Sequence, residues 1–183
     1  MRNEENMETF DFDFGNGSVP AHKHPNGGGW VANTAHVSET AYVGPDALVF
    51  GNARVSDDAL VHGNARVSDS AQVYGNAEVY GYTWVFEDAR VFEDALVSGD
   101  ARVFGNAQVS GDALVHGNAQ VFDDARVSGN TRVSGDSRVF GNARVYNSAR
   151  VFGNARVSGD AWVFEDAQVS GDAQVSGNTR VVW

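Results

Sequence analysis

The side chains best suited to chemistry near neutral pH in this 183-residue chain are five histidines and 24 acids. There is no cysteine, which excludes a thiol nucleophile, a disulfide and a cysteine-bound metal. A histidine can act as the general base of an acyl or proton transfer. Three that converge on one point, as His22, His24 and His36 would have to, could hold a zinc ion. His22-x-His24 is a weak metal pattern on its own, and His62 and His116 stand alone in sequence. Whether any of them meet depends on the elements that carry them.

Those elements are repeats. A valine occupies Val31, Val37, Val43 and every sixth position through Val181, giving 26 valines that bound 25 complete hexads. Each hexad reads valine, a variable residue, usually Gly, then Asn or Asp, then a small residue, then a second variable residue, as in Val97-Ser98-Gly99-Asp100-Ala101-Arg102. A fixed short period is the mark of a solenoid. Ala-x-Val-x alternates with period two, as expected of a strand with one buried face. Gly-Asn and Gly-Asp tolerate positive φ and tight bends. Hairpins reversing every six residues would leave strands too short for a stable sheet, so the spacing predicts a coil whose short strands pair in parallel with those one turn later.

Residues 31–180 resemble the left-handed parallel β-helix of the hexapeptide-repeat superfamily, and most closely the uninterrupted hexapeptide-repeat proteins of bacterial and phage genomes. The resemblance implies an all-β triangular solenoid with three hexads per coil, about eight 18-residue coils and a length of about 40 Å at strand spacing. The left hand comes from the resemblance, not from the periodicity. Gly63, Gly81, Gly99, Gly117, Gly135, Gly153 and Gly171 share one corner that keeps its glycine between residues 55 and 175, although Pro45 stands in that register in the first coil, whereas the other two corners admit Asp, Glu or Asn. That pattern points to a steric need for glycine at this corner. Many superfamily members are acyltransferases with a catalytic histidine between subunits of a trimer. His62 and His116 are three coils apart, about 14 Å, and cannot act as a pair. The loops and helical segment that build the cofactor site in such enzymes have no counterpart in residues 31–180. The expectation is therefore no catalytic, cofactor-binding or metal-binding residue, with a hexapeptide-repeat acyltransferase as one alternative.

Residues 1–30 are of another kind and are expected to form an N-terminal tail and cap on a β-helix spanning 31–183. Met1–Thr9 should fray. Phe10-Asp11-Phe12-Asp13-Phe14 alternates and predicts one strand laid over the first coil. Val19–Trp30, with its Pro and Gly, reads as a loop. Trp183 would fold over the last coil. No apolar run is long enough to span a bilayer and residues 1–6 are not a signal peptide, so the expected location is cytoplasmic, with no membrane partner.

The net charge is −11, unevenly placed: residues 39–124 hold 14 acids and four arginines. The acids gather at corners, in Asp57-Asp58, Glu87-Asp88, Glu93-Asp94 and Asp123-Asp124. This disfavours direct nucleic-acid binding. It suits solubility and edge protection, or the steering of a basic protein partner. A second alternative is thus an acidic, DNA-mimicking inhibitor, phage-encoded, that blocks a host nucleic-acid-handling or defence protein. On one outward column stand Phe50, Phe86, Phe104, Phe122 and Phe140, with Trp84 beside them. An exposed apolar strip of this size marks an interface. The leading expectation is a non-enzymatic interaction protein, a homo-oligomer (dimer or trimer) assembled through that strip.

Overall fold

The computed structural model describes residues 8–182; the expectations for residues 1–7 and for Trp183 lie outside it. Among the described residues there are 28 strands and no helix. Twenty-five of the strands are two residues long and end on a repeat valine, from His36–Val37 to Arg180–Val181. They stack in parallel at an 18-residue offset on three sheets that form the faces of a prism and that, with the three N-terminal strands counted in the first, have 11, 9 and 8 strands. Arg66-Val67 pairs with Trp84-Val85, which pairs with Arg102-Val103, and so on along the first face. The chain is a parallel β-solenoid of about eight coils, as the repeat predicts.

The core is the inward column set. From Val43 to Val169 every repeat valine is at most 3 % exposed, and the inward alanines from Ala41 to Ala167 are fully buried. Valine suits this role because its branched side chain is stiff and fits a pleated surface. Backbone N–H groups of each coil donate to carbonyls of the next, as Arg66 N does to Thr83 O and Ser68 N to Val85 O. The first coil therefore presents carbonyls with no coil before them.

The N-terminal residues answer that need. β1 (Phe10–Asp13) and β2 (Ser18–Lys23) pair antiparallel, and β2 pairs antiparallel with β3 (Trp30–Ala32), the first rung of the first face. The expected strand at Phe10 is present, but Ser18–Lys23 is a strand where a loop was expected. Pro20 is tolerated because it lies where the ladder to β3 ends: its carbonyl accepts from Asn33 N, and only the return donor is missing. Asn26 Nδ2 donates to the carbonyls of Thr40 and Ala41, and Gly29 N donates to that of Val43. A Cβ on Gly27 would lie 2.3 Å from Val43 O, so only glycine permits this approach.

From Gly51 onward every hexad corner has positive φ, whichever residue occupies it, whereas Asn33, Glu39 and Pro45 in the first coil do not. The seven non-glycine corners, Asp57, Asp69, Glu87, Glu93, Asp123, Asn147 and Glu165, have φ of 58–62°. The expected special need for glycine in the Gly63–Gly171 register is not supported by the geometry. A Cβ on Gly63 or Gly117 would meet the next coil at 3.0 Å, and one on Gly51 or Gly105, in another corner, at 2.7 Å.

Candidate interaction face

On the first face the residues following the valines stack in register. Phe86, Phe104, Phe122 and Phe140 lie with ring centroids 4.8, 4.9 and 4.9 Å apart and planes within 7° of parallel. The spacing is that of neighbouring strands, so the rings take their places from the backbone ladder. Each ring is half-buried, shielded by its neighbours along the axis and open outward.

Trp84 extends this strip. Its indole Nε1 donates to Ser68 Oγ at 3.1 Å, and its ring lies 4.6 Å from that of Phe86. Ser68 is 1 % exposed because the indole covers it. The step at which the column lacks a phenylalanine is thus filled by a tryptophan from the adjacent column. Phe50 heads the same column in sequence, but the cap closes over it: Phe14, itself buried, stacks on Phe50 at 5.1 Å. Phe12 stacks on Trp30 at 4.4 Å. Phe50 therefore belongs to the cap cluster, and the open strip runs from Trp84 to Phe140.

The eight corner acids that the charge pattern singles out lie at the surface, and most of them support the coil. Asp57 Oδ2 accepts from Gly75 N, Glu87 Oε2 from Gly105 N, Glu93 Oε2 from Gly111 N and Asp123 Oδ2 from Gly141 N, at 2.6–3.1 Å. In the next column Asn76 donates to Asp94 and Asn106 to Asp124. Asn118, Asn142 and Asn154 do the same to Asp136, Asp160 and Asp172. Asp58 and Asp88 show no such side-chain bond among those described. Six of the eight corner carboxylates thus reach one coil onward or take an amide from one coil back. The signal was in the sequence, as Asn followed by Asp 18 residues later, but charge counting passes over it.

The counterpart of the acidic stretch is a basic belt. Six arginines and one acid, Asp136, stand between residues 125 and 159. The arginines form three registered pairs, one per face: Arg126 with Arg144, Arg132 with Arg150, and Arg138 with Arg156. All six are exposed, and among the described residues the one ion pair is His62–Glu78. On the second face Arg144 and Arg180 each lie 5.0 Å from the ring of Trp162, between them.

Three of the five histidines are separately engaged. His62 Nε2 donates to Glu78 Oε1 at 2.8 Å, and its ring stacks on Tyr80 at 5.1 Å. His22 contacts Asn33 and His24 the Asn26 carbonyl, so the two side chains turn to different partners. Among the described residues no three His, Asp or Glu side chains converge as metal ligands would.

Parallel strands at an 18-residue repeat, corners of positive φ and inward valine define a hexapeptide-repeat β-solenoid. Residues 47–63, 71–87, 107–121, 119–135, 137–151 and 149–165, together just over half of the chain, match the family described as YdcK Beta solenoid repeat. The chain belongs to that family. No curated protein matches it in sequence. Similar solved structures include a UDP-N-acetylglucosamine O-acyltransferase (LpxA) from Moraxella catarrhalis, at 12% identity and TM-score 0.47, covering 79% of this chain and 64% of that one. Others are a UDP-N-acetylglucosamine acyltransferase from Campylobacter jejuni (16%, TM-score 0.49, 78% and 71% covered) and LpxA from Acinetobacter baumannii (11%, TM-score 0.43, 78% and 71% covered).

Proposed function

We propose that this protein is a non-enzymatic interaction module that self-associates through its first face. The observation that carries the reading is the open aromatic strip: Trp84 and four stacked phenylalanines, half-exposed along one flat side. Along the axis the rings already shield one another, so what remains in water is their outward edge. Covering a large apolar side chain is worth about 1.5–3 kcal/mol if it is fully buried. Five such groups reach the scale of the association cost, about 4–15 kcal/mol. Flanking arginine stems add apolar area without adding buried charge.

The test is the double change F104S/F122S. It repeats what Ser68 and Ser158 already are in that column and leaves the valine core untouched. The variant is expected to keep the circular dichroism of the wild type and to sediment as a monomer. An unchanged oligomer would mean that the ring column only braces its own sheet.

A further inference from the structure

We infer that the partner on this face is a second copy of the chain lying antiparallel, related by a twofold axis that passes between the levels of Phe104 and Phe122. The inference rests on the self-association reading above and adds the orientation and register. Its first support is the order of the middle of the column, which from Ser68 to Ser158 reads Ser68, Phe86, Phe104, Phe122, Phe140, Ser158 along the axis. That order is the same in both directions. A twofold interface brings one patch onto itself, so a palindromic column is the pattern it requires. With the axis along the strands, Phe104 faces the partner's Phe122, and Phe86 faces the partner's Phe140. A parallel pair could also set each ring against its own copy, but it would make no use of the order of the column.

The second support is charge. Residues 39–124 carry 14 acids, whereas residues 125–159 carry six arginines and one acid. A parallel pair would set the acidic stretch beside its own copy and the arginine belt beside its own. The antiparallel pair sets the acidic stretch of each chain alongside the belt of the other, which also favours encounter in that orientation. The third is Trp84. Its indole stands at the level of Ser68, and the antiparallel register brings that level to the partner's Ser158, flanked by the partner's Arg138 and Arg156. Among the described residues no aromatic group covers Ser158. The chain already builds an Arg–Trp–Arg stack on its second face, with Arg144 and Arg180 about Trp162.

Cysteine cross-linking reads the orientation directly, since the native chain has no cysteine. Arg66 and Arg156 are exposed, lie outside the phenylalanine column and are five coils apart, about 24 Å at strand spacing. In the antiparallel dimer, position 66 of one chain stands at the level of position 156 of the other. R66C and R156C are therefore expected to give a covalent dimer with a short bis-maleimide when mixed, and none when treated separately. Sedimentation of the same samples shows whether they associate. Association with cross-linking of R66C to itself, or with no cross-link in the mixture, overturns the antiparallel register and leaves self-association standing. A wild-type chain that sediments as a monomer overturns both.

Discussion

The carboxylate of Glu87 accepts a hydrogen bond from the backbone N–H of Gly105, one coil onward, at 2.7 Å. Glu87 itself has φ of 60°, a conformation that costs a residue with a Cβ roughly 1–2 kcal/mol. Glutamate persists in the corner because its side chain completes a neighbouring coil. Glu87→Ala keeps the strained backbone and loses the acceptor, and should destabilise by about 1 kcal/mol. Glu87→Gly loses the acceptor but relieves the strain, and should stay within about 0.5 kcal/mol of the wild type. Denaturant midpoints in the order wild type, Gly, Ala are expected; Ala equal to the wild type would refute the bond's role, and Ala equal to or above Gly would refute the strain.

The Asn–Asp column predicts a salt-dependent effect. Asn106 donates to Asp124 at 3.1 Å, and Asp88 occupies the same corner one coil earlier. Asn106→Asp would place three carboxylates in line at strand spacing. A loss of about 0.5–1 kcal/mol is expected at low ionic strength, shrinking near 1 M salt, where the screening length falls to about 3 Å. A melting temperature unchanged at low salt would show that the amide is dispensable.

A buried hydroxyl provides a change of opposite sign. Thr131 fills an inward small-residue slot, is fully buried, and its Oγ1 has no hydrogen-bond partner. By contrast, Thr83 Oγ1, in an equivalent slot, donates to Tyr80 O at 2.7 Å. Thr131→Val keeps the shape and removes the orphan donor, and should stabilise by about 1–2 kcal/mol. Thr83→Val should not stabilise. Thermal melts of the two variants side by side decide this.

The residues legible in the sequence were those that repeat. Val31 through Val181 announce the inward column, and the same six-residue period places Phe86, Phe104, Phe122 and Phe140 in one outward line. What the period could not show were departures from it. Ser18–Lys23 is a strand because it can pair with Phe10–Asp13 on one side and Trp30–Ala32 on the other, a tertiary reason that Pro20 and Gly27–Gly29 conceal locally. Trp84 belongs to one column by number and completes another by leaning onto Ser68, which depends on side-chain reach. Phe50 matches the strip by spacing, yet its ring is taken by Phe14, a residue outside the repeat.

The non-enzymatic reading predicts how the histidines respond to substitution. His62 is held by Glu78 and Tyr80, and among the described residues no hydroxyl is hydrogen-bonded to its ring or to that of His116. H62Q and H116A should leave self-association unchanged, and neither the wild type nor the variants should transfer an acyl group from a thioester donor to an amine or hydroxyl acceptor. Turnover by the wild type that either change abolishes would overturn that reading.

Sedimentation equilibrium of the wild-type chain over a range of concentrations tests the central claim most directly. The open strip from Trp84 to Phe140 predicts a species of twice the 19.6 kDa chain mass that dissociates on dilution. A mass of 19.6 kDa at every concentration would contradict it.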